Sequence, residues 1–210
     1  MGGGVDKFLG QVWASKQVTI RGELGSYKTA LAVWIARRLL ADGFVEGVVA
    51  NMPITLPISA IGIDDGTLWG RAMILDESHE VVDNRTSMSN SKKWSAYARK
   101  FQYVLIMPTV HPIDKRLQKC VCWFKYRVGK NYVFAYRYGY DIDNKPQEDT
   151  FSIDITEVFG MYDTIFIPPD SDHLLARFDY TYFIKTGKFY DKDRLQSVEA
   201  MLRDAQLDAA

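Results

Sequence analysis

Hydrophobic and polar positions change rhythm several times along the chain, and each change predicts an element. Residues 17–21 read Gln-Val-Thr-Ile-Arg, a short β-rich run, and a glycine-bearing loop follows. Leu31, Ile35, Leu39 and Leu40 then recur at helical spacing. The helix is expected to end near Asp42 and Gly43, where glycine takes a left-handed cap, and residues 47–51 read as a second buried strand. Together these segments predict a βαβ unit with a parallel sheet.

Residues 72–75 and 103–107 are continuous apolar runs, the pattern of strands covered on both faces, with a helical candidate at 92–100 between them. From Lys119 the rhythm becomes alternation. Cys120, Cys122, Phe124, Tyr126 and Val128 form one set, and Lys119, Val121, Trp123, Lys125 and Arg127 the other. Residues 133–140 alternate again, which predicts an antiparallel hairpin with one apolar and one basic face. Leu195, Val198, Met201, Leu202 and Leu207 predict an amphipathic C-terminal helix over 191–208. No repeat or Gly/Pro/Ser-rich linker divides the chain. The expectation is one α/β domain over 1–210, a mainly parallel sheet flanked by helices, with a core over about 17–116 and an extension over about 117–210.

A chain of 210 residues, 47% hydrophobic, can bury a substantial core. Lysine plus arginine equals aspartate plus glutamate at 26 each, so no global field draws the protein to nucleic acid and any such contact needs a local patch. The densest basic segment holds Lys115, Arg116, Lys119, Lys125, Arg127, Lys130 and Arg137, interleaved with Trp123, Tyr126, Tyr136 and Tyr138. That mixture suits phosphate contacts and base stacking, and it also suits an ordinary charged sheet face. Cys120 and Cys122 lie too close in sequence for an ordinary structural disulfide and read as reduced. The glycine-rich start carries no signal-peptide core and, with Asp6, no myristoylation pattern. No apolar run reaches the roughly 18 residues that span a bilayer, so a soluble protein of the host cytoplasm or virion is expected.

Two motifs carry chemistry. Gly22, Glu23, Leu24, Gly25, Ser26, Tyr27, Lys28 and Thr29 follow a strand and open a helix, the context in which a Walker A phosphate loop has meaning. Backbone N–H groups and the helix N-terminus would face the phosphates of ATP, Lys28 would add positive charge, and the Thr29 hydroxyl would hold Mg²⁺. Tyr27 stands where glycine is expected. The apolar run 72–75 leads straight into Asp76 and Glu77, the form of a Walker B. Asp76 would bind Mg²⁺, and Glu77 would orient and deprotonate the attacking water. The alternative readings are a strand-turn-helix junction that happens to carry Lys-Thr, and an acidic surface turn. Further along, Thr109 and His111 are sensor candidates, and Arg85, Arg99 and Arg116 are arginine-finger candidates. Asp76-Glu77-Ser78-His79 also matches a helicase DExH box, but a complete helicase needs two tandem domains and this length gives one.

With both motifs placed, the chain resembles the viral and phage P-loop ATPases related to the FtsK–HerA group, including Zot-like proteins of filamentous phages. Residues 48–53, Val-Val-Ala-Asn-Met-Pro, are similar to the strand ending in asparagine that follows the first helix in Zot-like proteins. The small ATPase core is similar to that of genome-packaging ATPases of tailless viruses. The resemblance covers about 18–116. It implies a P-loop NTPase fold in which Lys28 and Thr29 are the phosphate and Mg ligands, Asp76 the Mg acid and Glu77 the catalytic acid. It also implies a homo-oligomeric ring that couples ATP hydrolysis to moving DNA or extruding a phage, with capsid or assembly proteins as partners. Tyr27 departs from the pattern, as does the missing glutamine after the next strand, where residues 109–111 stand instead. A degenerate nucleotide-binding assembly protein without turnover is the alternative.

Overall fold

Alternating and continuous apolar runs sort into two halves of one sheet in the computed structural model. It describes residues 3–50, 52, 54, 70–76, 98–99, 102–111, 113, 115–140, 142–143 and 145–162. The elements are α1 Gly3–Ser15, β1 Gln17–Arg21, α2 Lys28–Ala41, β2 Gly47–Ala50, β3 Arg71–Ile74, β4 Val104–Thr109, β5 Cys120–Val128, β6 Asn131–Tyr140 and β7 Pro146–Ile153. Short 3-10 turns lie at Lys115–Leu117 and Thr156–Val158. The strand order is β2-β3-β4-β1-β5-β6-β7. The first five strands are parallel, and β6 and β7 add antiparallel to β5. The chain is therefore α/β with a mostly parallel sheet.

β1 and β2 are parallel, as the βαβ reading expects, but they are not neighbours, because β3 and β4 lie between them. The continuous apolar runs explain why: β4 is buried along its whole length, which suits an interior strand. Val18 and Ile20 of β1, Ile106 of β4 and Ile74 of β3 join α2 in one apolar cluster. Helix α2 buries residues on nearly every side, among them Leu31, Val33, Trp34, Ile35 and Leu39. It stops where Gly43, at φ 72°, turns the chain left-handed, as expected.

Helix α1 is the main element without a sequence expectation, although Val5, Phe8, Leu9 and Val12 have amphipathic spacing. Phe8 stacks on Phe151 at 4.0 Å and meets Tyr136 edge-on at 4.9 Å, so α1 covers the same sheet face as α2 but over the antiparallel half. The hairpin forms as expected up to Phe124, where the register with β6 shifts. Beyond this irregularity the alternation no longer keeps its side chains on one face: Tyr126 is 55% and Val128 61% exposed, not part of the apolar face the sequence predicted. The helix expected at 191–208 lies outside the described residues, as does most of 92–100, of which Ala98 and Arg99 are helical. Among the described residues no helix is long and apolar enough to cross a membrane.

Candidate functional site

Parallel register places the carboxyl ends of β1, β3 and β4 along one edge of the sheet, where open α/β sheets gather their ligands. The loop leaving β1 is built by local turn chemistry. Ser26 N–H donates to Glu23 O at 3.2 Å, closing a turn whose third residue, Gly25, has φ 77°. That conformation is why glycine stands there. Gly22 serves a different need: a Cβ on it would collide with Ser26 Oγ.

Tyr27 also adopts a left-handed backbone, φ 62° and ψ 22°, and is the N-cap of α2 without supplying a side-chain hydrogen bond. This geometry accounts for glycine being the expected residue, since a side chain there costs about 1–2 kcal/mol. The ring packs edge-on against Tyr132 at 4.7 Å and lies near Phe124 and Phe159 at 5.8 and 6.1 Å. Aromatic contacts of about 0.5–1.5 kcal/mol each offset the backbone strain. Tyr27 thus ties the loop to the antiparallel half.

Lys28, 8% exposed, donates from its ammonium to Glu23 O at 2.6 Å, which sets its charge within the loop. Leu75 N–H still bonds Ile106 O at 2.9 Å, so Asp76 is the first residue past the sheet. Its carboxylate receives the Thr29 hydroxyl, with Oγ1 at 3.3 and 3.2 Å from Oδ1 and Oδ2. The first turn of α2 and the end of β3, distant in sequence, therefore meet at one point. Ser26 Oγ, buried in the same loop, has no hydrogen-bond partner.

These donors suit a phosphate with its magnesium: a lysine ammonium, a helix N-terminus, an orphaned hydroxyl, and a hydroxyl-carboxylate pair of hard oxygen ligands. Among the described residues no group of three or more His, Cys, Asp or Glu forms a metal cluster. Of the described residues, Thr29 and Asp76 are the ones that would hold the ion.

Glu77, Arg85 and His79 lie outside the described residues. Thr109 ends β4 in register with Arg21, is 1% exposed, and donates its hydroxyl to His111 O at 2.7 Å. His111 itself is exposed. Arg99 and Arg116 lie together on the wall of a different cleft.

Sequence reasoning missed Tyr162. Beyond β7 the chain passes α2, where Arg37 and Glu157 pair at 2.8 Å, and residue 162 bridges Ile54 just past β2. Burial, and then the Asp76 charge, push the Tyr162 hydroxyl pKa up. No local motif marks Tyr162, because its position depends on the whole path of the chain. A scan of protein-family models finds none that matches this chain, and a search of curated proteins finds no match either.

Proposed function

We propose that the protein is a P-loop NTPase that binds Mg·ATP at the carboxyl edge of the sheet and hydrolyses it as a viral or phage motor, working as a homo-oligomeric ring that translocates or packages DNA. The observation that carries the nucleotide part is the Thr29 hydroxyl on the Asp76 carboxylate, with Lys28 set in the loop beside them. An accidental strand-turn-helix junction gives no reason for its threonine to meet an acid at the end of another strand. The motor and its DNA rest on the resemblance of the two motifs to the FtsK–HerA group.

Lys28 and the N-terminus of α2 would bind and orient the phosphates, and Ser26 Oγ would add a donor. Magnesium, held through Thr29 and Asp76, would neutralise charge on the β- and γ-phosphates. Glu77, one residue past Asp76, is the candidate base for the attacking water. A second reading, a nucleotide-binding assembly protein without turnover, draws on Tyr27 in glycine's place.

Phosphate release, measured with and without double-stranded DNA alongside mass by light scattering, separates these readings. Lys28→Ala should weaken ATP binding, whereas Glu77→Gln should keep binding and abolish turnover. DNA-stimulated turnover by a ring supports the motor. Binding by a protein silent in every condition would move the assignment to the assembly reading.

A further inference from the structure

Basic residues from β1, from the segment leading into β5 and from β6 gather at one place. An open cleft of about 1200 Å³ collects Arg21, Arg99, Lys115, Arg116, Lys119 and Arg137 on its walls, and among the described residues neither Asp nor Glu lines it. In a chain with equal numbers of acidic and basic residues, six cations and no acid among the described lining of one cleft is a segregated charge. Burial, and then the charge of Arg99, lower the Lys119 pKa. Arg21 donates from Nη2 to Gln118 Oε1 at 2.8 Å, while its buried Nε has no hydrogen-bond partner.

Aromatic surface lies among these charges. Trp123 lines the cleft with the Arg137 guanidinium 5.2 Å from its ring centre, and Arg137 also holds Glu148 at 3.1 Å. Tyr140, 70% exposed, also lines the cleft. A cleft that recognised only phosphate would not need these rings. A duplex keeps its base faces stacked inside, where the rings cannot reach them, whereas an unpaired strand offers phosphates and base faces together.

We propose that this cleft binds single-stranded nucleic acid, with phosphates against Arg21, Lys115 and Lys119 and bases stacked on Trp123 and Tyr140. The inference deepens the DNA-handling reading above and rests on it for the identity of the polyanion. Arg21 directly precedes Gly22 of the phosphate loop and is in register with Thr109, so an occupied cleft adjoins the nucleotide site through one residue.

The test is fluorescence anisotropy of a labelled oligothymidylate, against a duplex of equal length, over a salt series and without nucleotide. Omitting nucleotide keeps this result separate from any failure of ATP turnover. The single strand should bind more tightly than the duplex, and its log affinity should fall with log salt at a slope of about −2. Trp123→Ala should weaken binding about five- to hundredfold, with Trp123→Phe restoring most of it. Lys119→Glu, an edge substitution that spares the apolar core, should weaken binding and flatten the slope by about one. Circular dichroism confirms that each variant is folded. Absence of binding at low salt, tighter binding of the duplex, or affinity unchanged in both Trp123→Ala and Lys119→Glu would overturn the proposal.

Discussion

The parallel and antiparallel halves of the sheet meet at β1 and β5 and place their chemistry differently. In the parallel half the strands are buried and the candidate chemistry sits at their carboxyl ends, in the Lys28, Thr29 and Asp76 group. In the antiparallel half one face is closed by α1, and Trp123, Arg137 and Tyr140 line a cleft that this half shares with Arg21 of β1 and the basic segment leading into β5. A strand covered on both sides can offer polar groups only where it ends, whereas a strand covered on one side can offer them along its length. The same contrast would separate the proposed compact phosphate site from the proposed extended polymer site.

The largest expected effect comes from uncovering the antiparallel half. Phe8→Ala removes the ring that stacks on Phe151 and meets Tyr136, and should cost about 3–5 kcal/mol in a denaturant melt. If the halves divide the chemistry as described, ATP affinity of the variant under folding conditions stays at the wild-type value. A parallel loss of ATP affinity would show that the division is not real.

Tyr27 joins the halves and sharpens the comparison at a smaller scale. Tyr27→Ala and Tyr27→Gly lose the same aromatic packing, but only glycine relieves the left-handed backbone. The glycine variant should therefore be more stable than the alanine variant by about 1 kcal/mol. Equal stabilities would mean that the backbone is not strained at this position.

The cysteines give the smallest effect, because both point into the core under α1. Burial pushes the Cys120 thiol up to about 12, and Cys122 well above its ordinary value. Maleimide labelling of the native protein should be very slow at pH 8 and should quicken about tenfold per pH unit below 12, since the thiolate is the nucleophile. Because the folded values are raised, this contribution to stability is present below pH 9.0 and is lost as pH climbs towards 12. Rapid native labelling at pH 8 would contradict the covered face.

The parallel half was the more legible in the sequence. Residues 17–21, the helix ending at Gly43 and the apolar runs at 47–51, 72–75 and 103–107 correspond to β1, α2, β2, β3 and β4 within a residue or two. Their apolar patterns are local, so sequence reports them directly. Strand order was not legible, since which strand lies beside β1 is decided by packing across the whole sheet. β7 has Phe151 and Ile153 as its apolar anchors among polar residues and starts at proline, so it reads as loop until β6 is there to receive it. Helix α1 was hidden by Gly3, Gly4 and Gly10, which lower helix propensity while its apolar stripe persists. At the candidate site, the residue types of the loop and of Asp76 were readable. The meeting of Thr29 with Asp76, the left-handed Tyr27 and the approach of Tyr162 required the fold.

The most direct test of the central claim is equilibrium binding of a fluorescent ATP analogue to the wild type, Lys28→Ala and Asp76→Ala, with magnesium and with chelator. A phosphate site built by Lys28, Thr29 and Asp76 predicts binding that strengthens with magnesium, falls at least tenfold in Lys28→Ala, and loses its magnesium dependence in Asp76→Ala. Absence of binding by the wild type, or equal affinity in all three proteins, would contradict it.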